Sequence, residues 1–237
     1  MRQQYQGQLA GGYAPGAVAN ASVDSRAKFI SRTYNHLLGA IALFTGIEVV
    51  LFKTGIAYKI AGALAQNWLF VLGGFMVASW LASRAAHRST SLSSQYFALV
   101  AFVAVEAVVF VPLLVVANLY APGAIQSAGI VTLLGFAGLT GIAFWTRKDF
   151  SFLGGVLKWV GICALALIVG GILFGFELGT FFSVAMVAFA GGAILYDTSN
   201  VLHHFPEDRY VGAALELFAS VALMFWYVLR IFIAARD

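Results

Sequence analysis

Charge is scarce in this chain. Only 10% of its 237 residues are Asp, Glu, Lys or Arg, against 61% hydrophobic, and the mean hydropathy is +0.89. A water-soluble domain carries about 25% charged residues, so a soluble globular fold is excluded. Cysteine is nearly absent: Cys163 stands alone and excludes an intrachain disulfide. Proline is rare, and Pro112 lies inside an apolar run, where it removes one backbone donor and is expected to kink the helix. No basic stripe with interleaved aromatics accompanies the net charge of +4, which speaks against nucleic acid as a partner. No apolar run follows the first charges, so the N-terminus is not a signal peptide. Met1–Ala27 is rich in Gln, Gly, Ala, Ser and Tyr; it is expected to be a disordered cytoplasmic tail, with one membrane domain over residues 28–237.

What the chain has in abundance is long apolar runs. Seven are present: Phe29–Phe52, Leu64–Ser83, Tyr96–Tyr120, Ala124–Thr146, Phe152–Phe174, Leu178–Tyr196 and Val211–Ile233. A bilayer core about 30 Å thick needs roughly 20 apolar residues per spanning helix, and lipid satisfies no open backbone groups, so helices are preferred. The expected fold is an all-α integral membrane protein, a bundle of seven transmembrane helices. Arg2, Arg26, Lys28, Arg32, Arg84, Arg88, Arg147, Lys148 and Arg209 fall on one side of it; Lys53, Lys59, Arg230 and Arg236 fall on the other. The positive-inside rule then places the N-terminus in the cytoplasm and the C-terminus outside, with Lys158 snorkelling inward. Gly73-Gly74, Gly154-Gly155, Gly170-Gly171 and Gly191-Gly192 let helix backbones approach closely.

Ionisable groups inside spans are costly and tend to face the bundle interior. Asp197 ends the sixth run near the cytoplasmic face, and Glu216 lies within two turns of the same side of the seventh. Arg32 and His36, four apart at the start of the first run, share a helix face at similar depth and are expected to supply the countercharge. Opposing effects of burial and neighbouring charge on such acids suit a proton-sensitive gate. In the seventh run Glu216, Ser220, Leu223, Tyr227 and Arg230 recur at steps of four, three, four and three. That polar stripe should look into the bundle, which makes the last helix the candidate central one. Glu48 and Arg230, both near the outer side, form a candidate outer latch. Glu106 is the deepest charge, roughly 15 Å into its run; it must be protonated, hydrogen-bonded or exposed to water in a cavity, and with Asp197, Glu216 and Ser220 it is a candidate for the ion pathway. His203, His204, Glu207 and Asp208 read as a solvated loop, since no cysteine or HExxH helix accompanies them. No metal site or cofactor is expected from these residues. Enzyme motifs are missing: there is no Gly-x-Gly-Asp beside Tyr196-Asp197, and Ser220 has no Gly-x-Ser-x-Gly context.

Two strings carry more than periodicity. Thr146-Arg147-Lys148-Asp149-Phe150-Ser151-Phe152-Leu153-Gly154-Gly155 separates the fourth and fifth runs, and Gly192-Ala193-Ile194-Leu195-Tyr196-Asp197-Thr198-Ser199-Asn200 closes the sixth. With Arg32-Thr33-Tyr34 and Leu229-Arg230-Ile231, they make the chain resemble the Bax inhibitor-1 (transmembrane Bax inhibitor motif) family from about Ala27 to Ile233, in its bacterial YccA-like branch. The resemblance implies seven helices with the last enclosed by the others, and a pH-dependent calcium leak sensed by two aspartates that share a proton. The first matches Asp197; the second falls at Ser220, where this chain departs from the pattern. Glu216, one turn before Ser220, is expected to reach Asp197 and restore a carboxylate pair. Members of the YccA-like branch are also partners and modulators of the membrane-bound FtsH protease. The resemblance therefore implies an inner-membrane location and, as partners beyond the lipid bilayer, Ca2+ or H+ and an FtsH-type membrane protease.

Overall fold

A computed structural model of the chain describes residues 16–88 and 91–236. Among these residues a 3-10 turn at Val18–Asn20 is followed by eight helices: α1 (Val23–Lys53), α2 (Ile56–Ala65), α3 (Trp68–Arg88), α4 (Leu92–Tyr120), α5 (Ala124–Thr146), α6 (Leu153–Phe174), α7 (Gly179–His203) and α8 (Tyr210–Ala234). All but α2 are long and apolar enough to cross a membrane. The chain is thus an all-α membrane bundle whose seven long helices correspond to the seven apolar runs.

Boundaries differ where polar residues extend a helix beyond its apolar part. The helix expected from Phe29 begins at Val23, where the Ser22 hydroxyl accepts the Ser25 N–H at 3.2 Å and Asp24 occupies the positive first turn. The expected tail therefore ends earlier than Ala27. Its first fifteen residues lie outside the described ones, but Ala17 and Val18 are buried, and the Val18 N–H donates to the Phe205 carbonyl at 2.9 Å. A single aliphatic residue in a polar stretch anchors that segment against the end of α7. Helix α7 runs past Tyr196 to His203, because Val201 and Leu202 continue its buried face. Asp197 accordingly sits inside the helix, about 9 Å from its end at 1.5 Å per residue. Helix α4 continues unbroken through Pro112.

The short helix α2 was not anticipated. Gly55, at φ +73°, turns the chain after α1, and Ala57 then packs against Val111 and Val115 of α4.

Helix α8 is central. It packs against α1, α3, α4, α5 and α7, whereas α6 sits at the periphery, chiefly on α7. Towards the start of α8 the core is built from Phe29, Leu37, Phe102, Leu217 and Phe218; towards its end, from Phe110, Leu114, Ile194, Met224 and Leu229. Two contacts fix where α8 begins. Buried Gln95 of α4 accepts the Gly212 N–H and donates to the Asp208 carbonyl, both at 3.2 Å. It thereby satisfies a first-turn donor that Arg209 does not cap. Gly212 also lies so close to α3 that a Cβ there would stand 2.7 Å from the Ala86 carbonyl oxygen. Helices α3 and α8 meet backbone to backbone at this point.

Candidate functional site

That close approach brings His87, the next residue of α3, against α8. Its Nδ1 lies 3.0 Å from Glu216 Oε1 and 3.1 Å from the Ser83 carbonyl oxygen. With two acceptors in reach, Nδ1 is the protonated nitrogen. One turn further along α8, the Ser220 hydroxyl donates to Asp197 Oδ2 at 2.5 Å, and both residues are buried. Glu216 and His87 are close enough to act electrostatically on Asp197, and Arg209 acts on His87. Exposure is graded along this row. The His87 side chain is 54% exposed, Glu216 14%, and Asp197 is buried. A cavity of about 280 Å³, lined by His87, Tyr196, Asn200, His204 and Arg209 among others, opens at the same end. Protons and ions in water can thus reach the imidazole, and through Glu216 influence an acid that is itself buried.

The two strings singled out in the sequence meet here. Asp149 Oδ1 accepts the Ser151 N–H at 2.9 Å and the Ser199 hydroxyl at 3.3 Å, and the Ser199 oxygen accepts the Phe150 N–H at 2.8 Å. Asp149 Oδ2 pairs with His204 Nε2 at 3.0 Å. Burial by itself would push the Asp149 carboxyl up, but the bonds from Ser151 and the neighbouring His204 outweigh it and hold the group below its ordinary value of 3.8. Asp149 is therefore an anion at neutral pH. The loop between α5 and α6 is tied through it to the last turns of α7, which carry Asp197. His204, expected in a solvated loop, is one partner of this clamp.

Other expected pairings are not formed. His36 Nε2 lies 2.7 Å from the Tyr96 hydroxyl, its ring packs on Tyr96 and Tyr210, and the Arg32 guanidinium lies over the Tyr210 ring at 5.3 Å. These tyrosines intercept both side chains, so the partner of Glu216 is His87 instead. Glu216 itself is bonded to His87 and not to Asp197, so the restored carboxylate pair is replaced by a serine–aspartate contact with a glutamate beside it. The outer latch is also open. Glu48 is buried with neither carboxyl oxygen bonded, while Arg230 lies 6.0 Å from the Tyr227 ring. Arg230 lines a cavity to which α1, the helix of Glu48, contributes no described residue. Glu106 lines that same cavity, which Asp197 and Glu216 do not line.

His87, Gln95 and Gly212 carried no signal of their own in the sequence. His87 stood among Arg84 and Arg88 as a topological charge after the second run. Its role follows only from the approach of α3 to α8.

Seven long apolar helices, the last of them central, with an acid buried between the final two, define a polytopic membrane protein with a polar centre. The family model described as "Inhibitor of apoptosis-promoting Bax1" matches residues 26–237, and the chain belongs to this Bax inhibitor-1 family. It is 35% identical over 117 residues to Uncharacterized protein PA2604 of Pseudomonas aeruginosa, covering 48% of this chain and 51% of that one. It is 28% identical over 225 residues to Protein lifeguard 4 of Mus musculus, covering 90% and 87%. It is 36% identical over 94 residues to Modulator of FtsH protease YccA of Escherichia coli, covering 39% and 42%. Except for the mouse protein, the chain spans about half or less of the length of these relatives.

Proposed function

We propose that this protein is a pH-responsive cation leak of the bacterial inner membrane, with its N-terminus and its sensor facing the cytoplasm and its C-terminus outside. One observation carries the reading: a buried acid at the contact of α7 with the central helix, held by a neutral hydroxyl, with an imidazole–carboxylate pair linking it to water. The mechanism is electrostatic. While His87 is charged it balances Glu216. As pH rises and the imidazole loses its proton, Glu216 is left unbalanced beside Asp197. Two acids that close favour separation of α7 from α8 or entry of a cation between them. The cation, Ca2+ included, would be held weakly and largely by water, because few oxygen ligands share this depth. Flux of Ca2+ into liposomes, recorded from about pH 6 to about 10 so as to cover an imidazole paired with a carboxylate, should rise with pH for the wild type. It should lose its pH dependence in Asp197→Asn, which retains an oxygen for Ser220, and in Glu216→Gln. Equal pH profiles from all three proteins would rule the reading out.

The likeness to a named FtsH modulator, together with serine in place of the second aspartate, supports a second reading. In it the protein is a non-catalytic partner of a membrane-bound FtsH-type protease, grasped by its polar N-terminal segment. Deleting residues 1–15 leaves the Val18 anchor in place and should abolish co-purification of the protease. Undiminished co-purification would remove that mechanism.

A further inference from the structure

A larger cavity, about 930 Å³, is bounded by α3, α4, α6, α7 and α8. It is separate from the opening beside His87, and neither reading above uses it. Its size suits a small organic ligand, for which pockets of about 300–1,000 Å³ are usual. Its walls are aromatic. Trp68 stacks on Trp226 at 6.0 Å, and Phe110 stands edge-on to Trp226 at 5.0 Å. Tyr227 lines it further along α8. Two carboxylates line it: Glu177, between α6 and α7, and Glu106, which lies at the middle of α4 and is only 5% exposed. Among the described residues no hydrogen bond or ion pair reaches it. A buried acid with nothing to satisfy it is an unmet demand for a donor or a cation.

We propose that this cavity binds a lipophilic organic amine, with the ammonium on Glu106 and the apolar body against the indole and phenyl faces. The chemistry selects that class over its neighbours. A metal cation needs several oxygen ligands, and among the described residues no three His, Cys, Asp or Glu side chains come together to hold one. An ammonium is content with one carboxylate and aromatic faces. A phospholipid would place its phosphate by Arg230, near the end of α8, and lay acyl chains over Glu106 without satisfying it. An alkylamine is cationic at neutral pH, its pKa being near that of lysine, about 10.4, and its chain repays burial in an apolar wall.

The test uses full-length protein in phospholipid nanodiscs, with a radiolabelled phenylalkylamine as probe and empty nanodiscs as the partition control. Saturable binding at one amine per chain is expected, with the neutral N-acetyl derivative weaker by about tenfold or more, as befits loss of one charge-assisted contact. Glu106→Gln should bind the amine as weakly as the wild type binds the acetylated probe, while its thermal midpoint and its pH profile of Ca2+ flux stay unchanged. The comparison of amine with amide needs no variant and stands even if Glu106→Gln folds poorly. Equal binding of the two probes, displacement of the amine by Ca2+ or by excess anionic phospholipid alone, or undiminished binding to Glu106→Gln would each overturn the proposal. The flux assay above addresses Asp197 and Glu216, so either result can fail without the other.

Discussion

Alanine at position 212 destabilises the bundle by about 1–3 kcal/mol, the usual cost of forcing extra volume into a packed site, whereas alanine at position 73 leaves it unchanged or more stable. The two substitutions are chemically identical and both lie in helices. On propensity alone each gains about 0.5–1 kcal/mol, since glycine is the poorer helix former. The surroundings decide the sign. Around Gly73 nothing lies within 4 Å of the added methyl position, while at Gly212 the carbonyl oxygen and Cα of Ala86 lie at 2.7 and 2.8 Å. Backbone cannot swing aside as a side chain can, so α3 and α8 must part. Gly154 provides the intermediate case. There the obstruction is the Tyr196 ring edge at 2.9 Å, which can rotate at the cost of the packing next to Asp197. Equilibrium unfolding in mixed micelles should rank the variants Gly73→Ala, Gly154→Ala and Gly212→Ala from most to least stable. A Gly212→Ala protein as stable as wild type would mean that α3 and α8 do not touch at this point. The same substitution should flatten the pH dependence of the leak, because the contact it opens is the one that holds His87 against Glu216.

The contrast between these glycines explains how much of the molecule was readable in advance. Span number and order follow from run length alone, because a bilayer imposes one thickness on every crossing. The polar stripe from Glu216 to Arg230 identified the central helix, because helical period is a property of sequence. Depth is legible in the same way: Asp197, Glu216, Arg32 and His36 lie near one end of the bundle, as their positions in the runs imply. Azimuth is not legible. Which face of α1 meets which face of α8 depends on packing, and the tyrosines at 96 and 210 took the two side chains, Arg32 and His36, that depth alone would have assigned to the acids. His87 came into the site through a contact between Gly212 and the backbone of Ala86, and neither residue has a polar side chain to announce it. Helix α2 was missed for a related reason. With ten residues it is too short to cross a bilayer, and its burial against α4 is a tertiary event. The loop string at Asp149 could be recognised as informative, but its purpose, tying α6 and α7 together, emerges only once Ser199 and His204 stand beside it.

Replacing Glu48 by leucine should stabilise the protein by about 1–3 kcal/mol, the desolvation cost of a buried polar group left unbonded. Glu48 lies five residues from the end of α1, roughly 7.5 Å along the helix, and both of its carboxyl oxygens are buried without a partner among the described residues. Leucine has nearly the same reach and needs no partner. Substituting apolar residues for buried ionic groups is often neutral or stabilising. A latch between Glu48 and Arg230 predicts the opposite: losing either residue would free the other as an unpaired charge, and losing both would cost little more than losing one. A double-mutant cycle separates the two cases. With Arg230 at the Tyr227 ring and Glu48 on another helix, Glu48→Leu and Arg230→Met should be additive to within about 0.5 kcal/mol, as for residues sharing no contact. A coupling energy well beyond that, with Glu48→Leu destabilising on its own, would restore the latch and require Arg230 to leave Tyr227 for α1. Additivity with a stabilising Glu48→Leu would instead mark Glu48 as an acid kept at a cost to stability. Its usefulness would then lie in a state of the protein where it finds a proton, a cation or water.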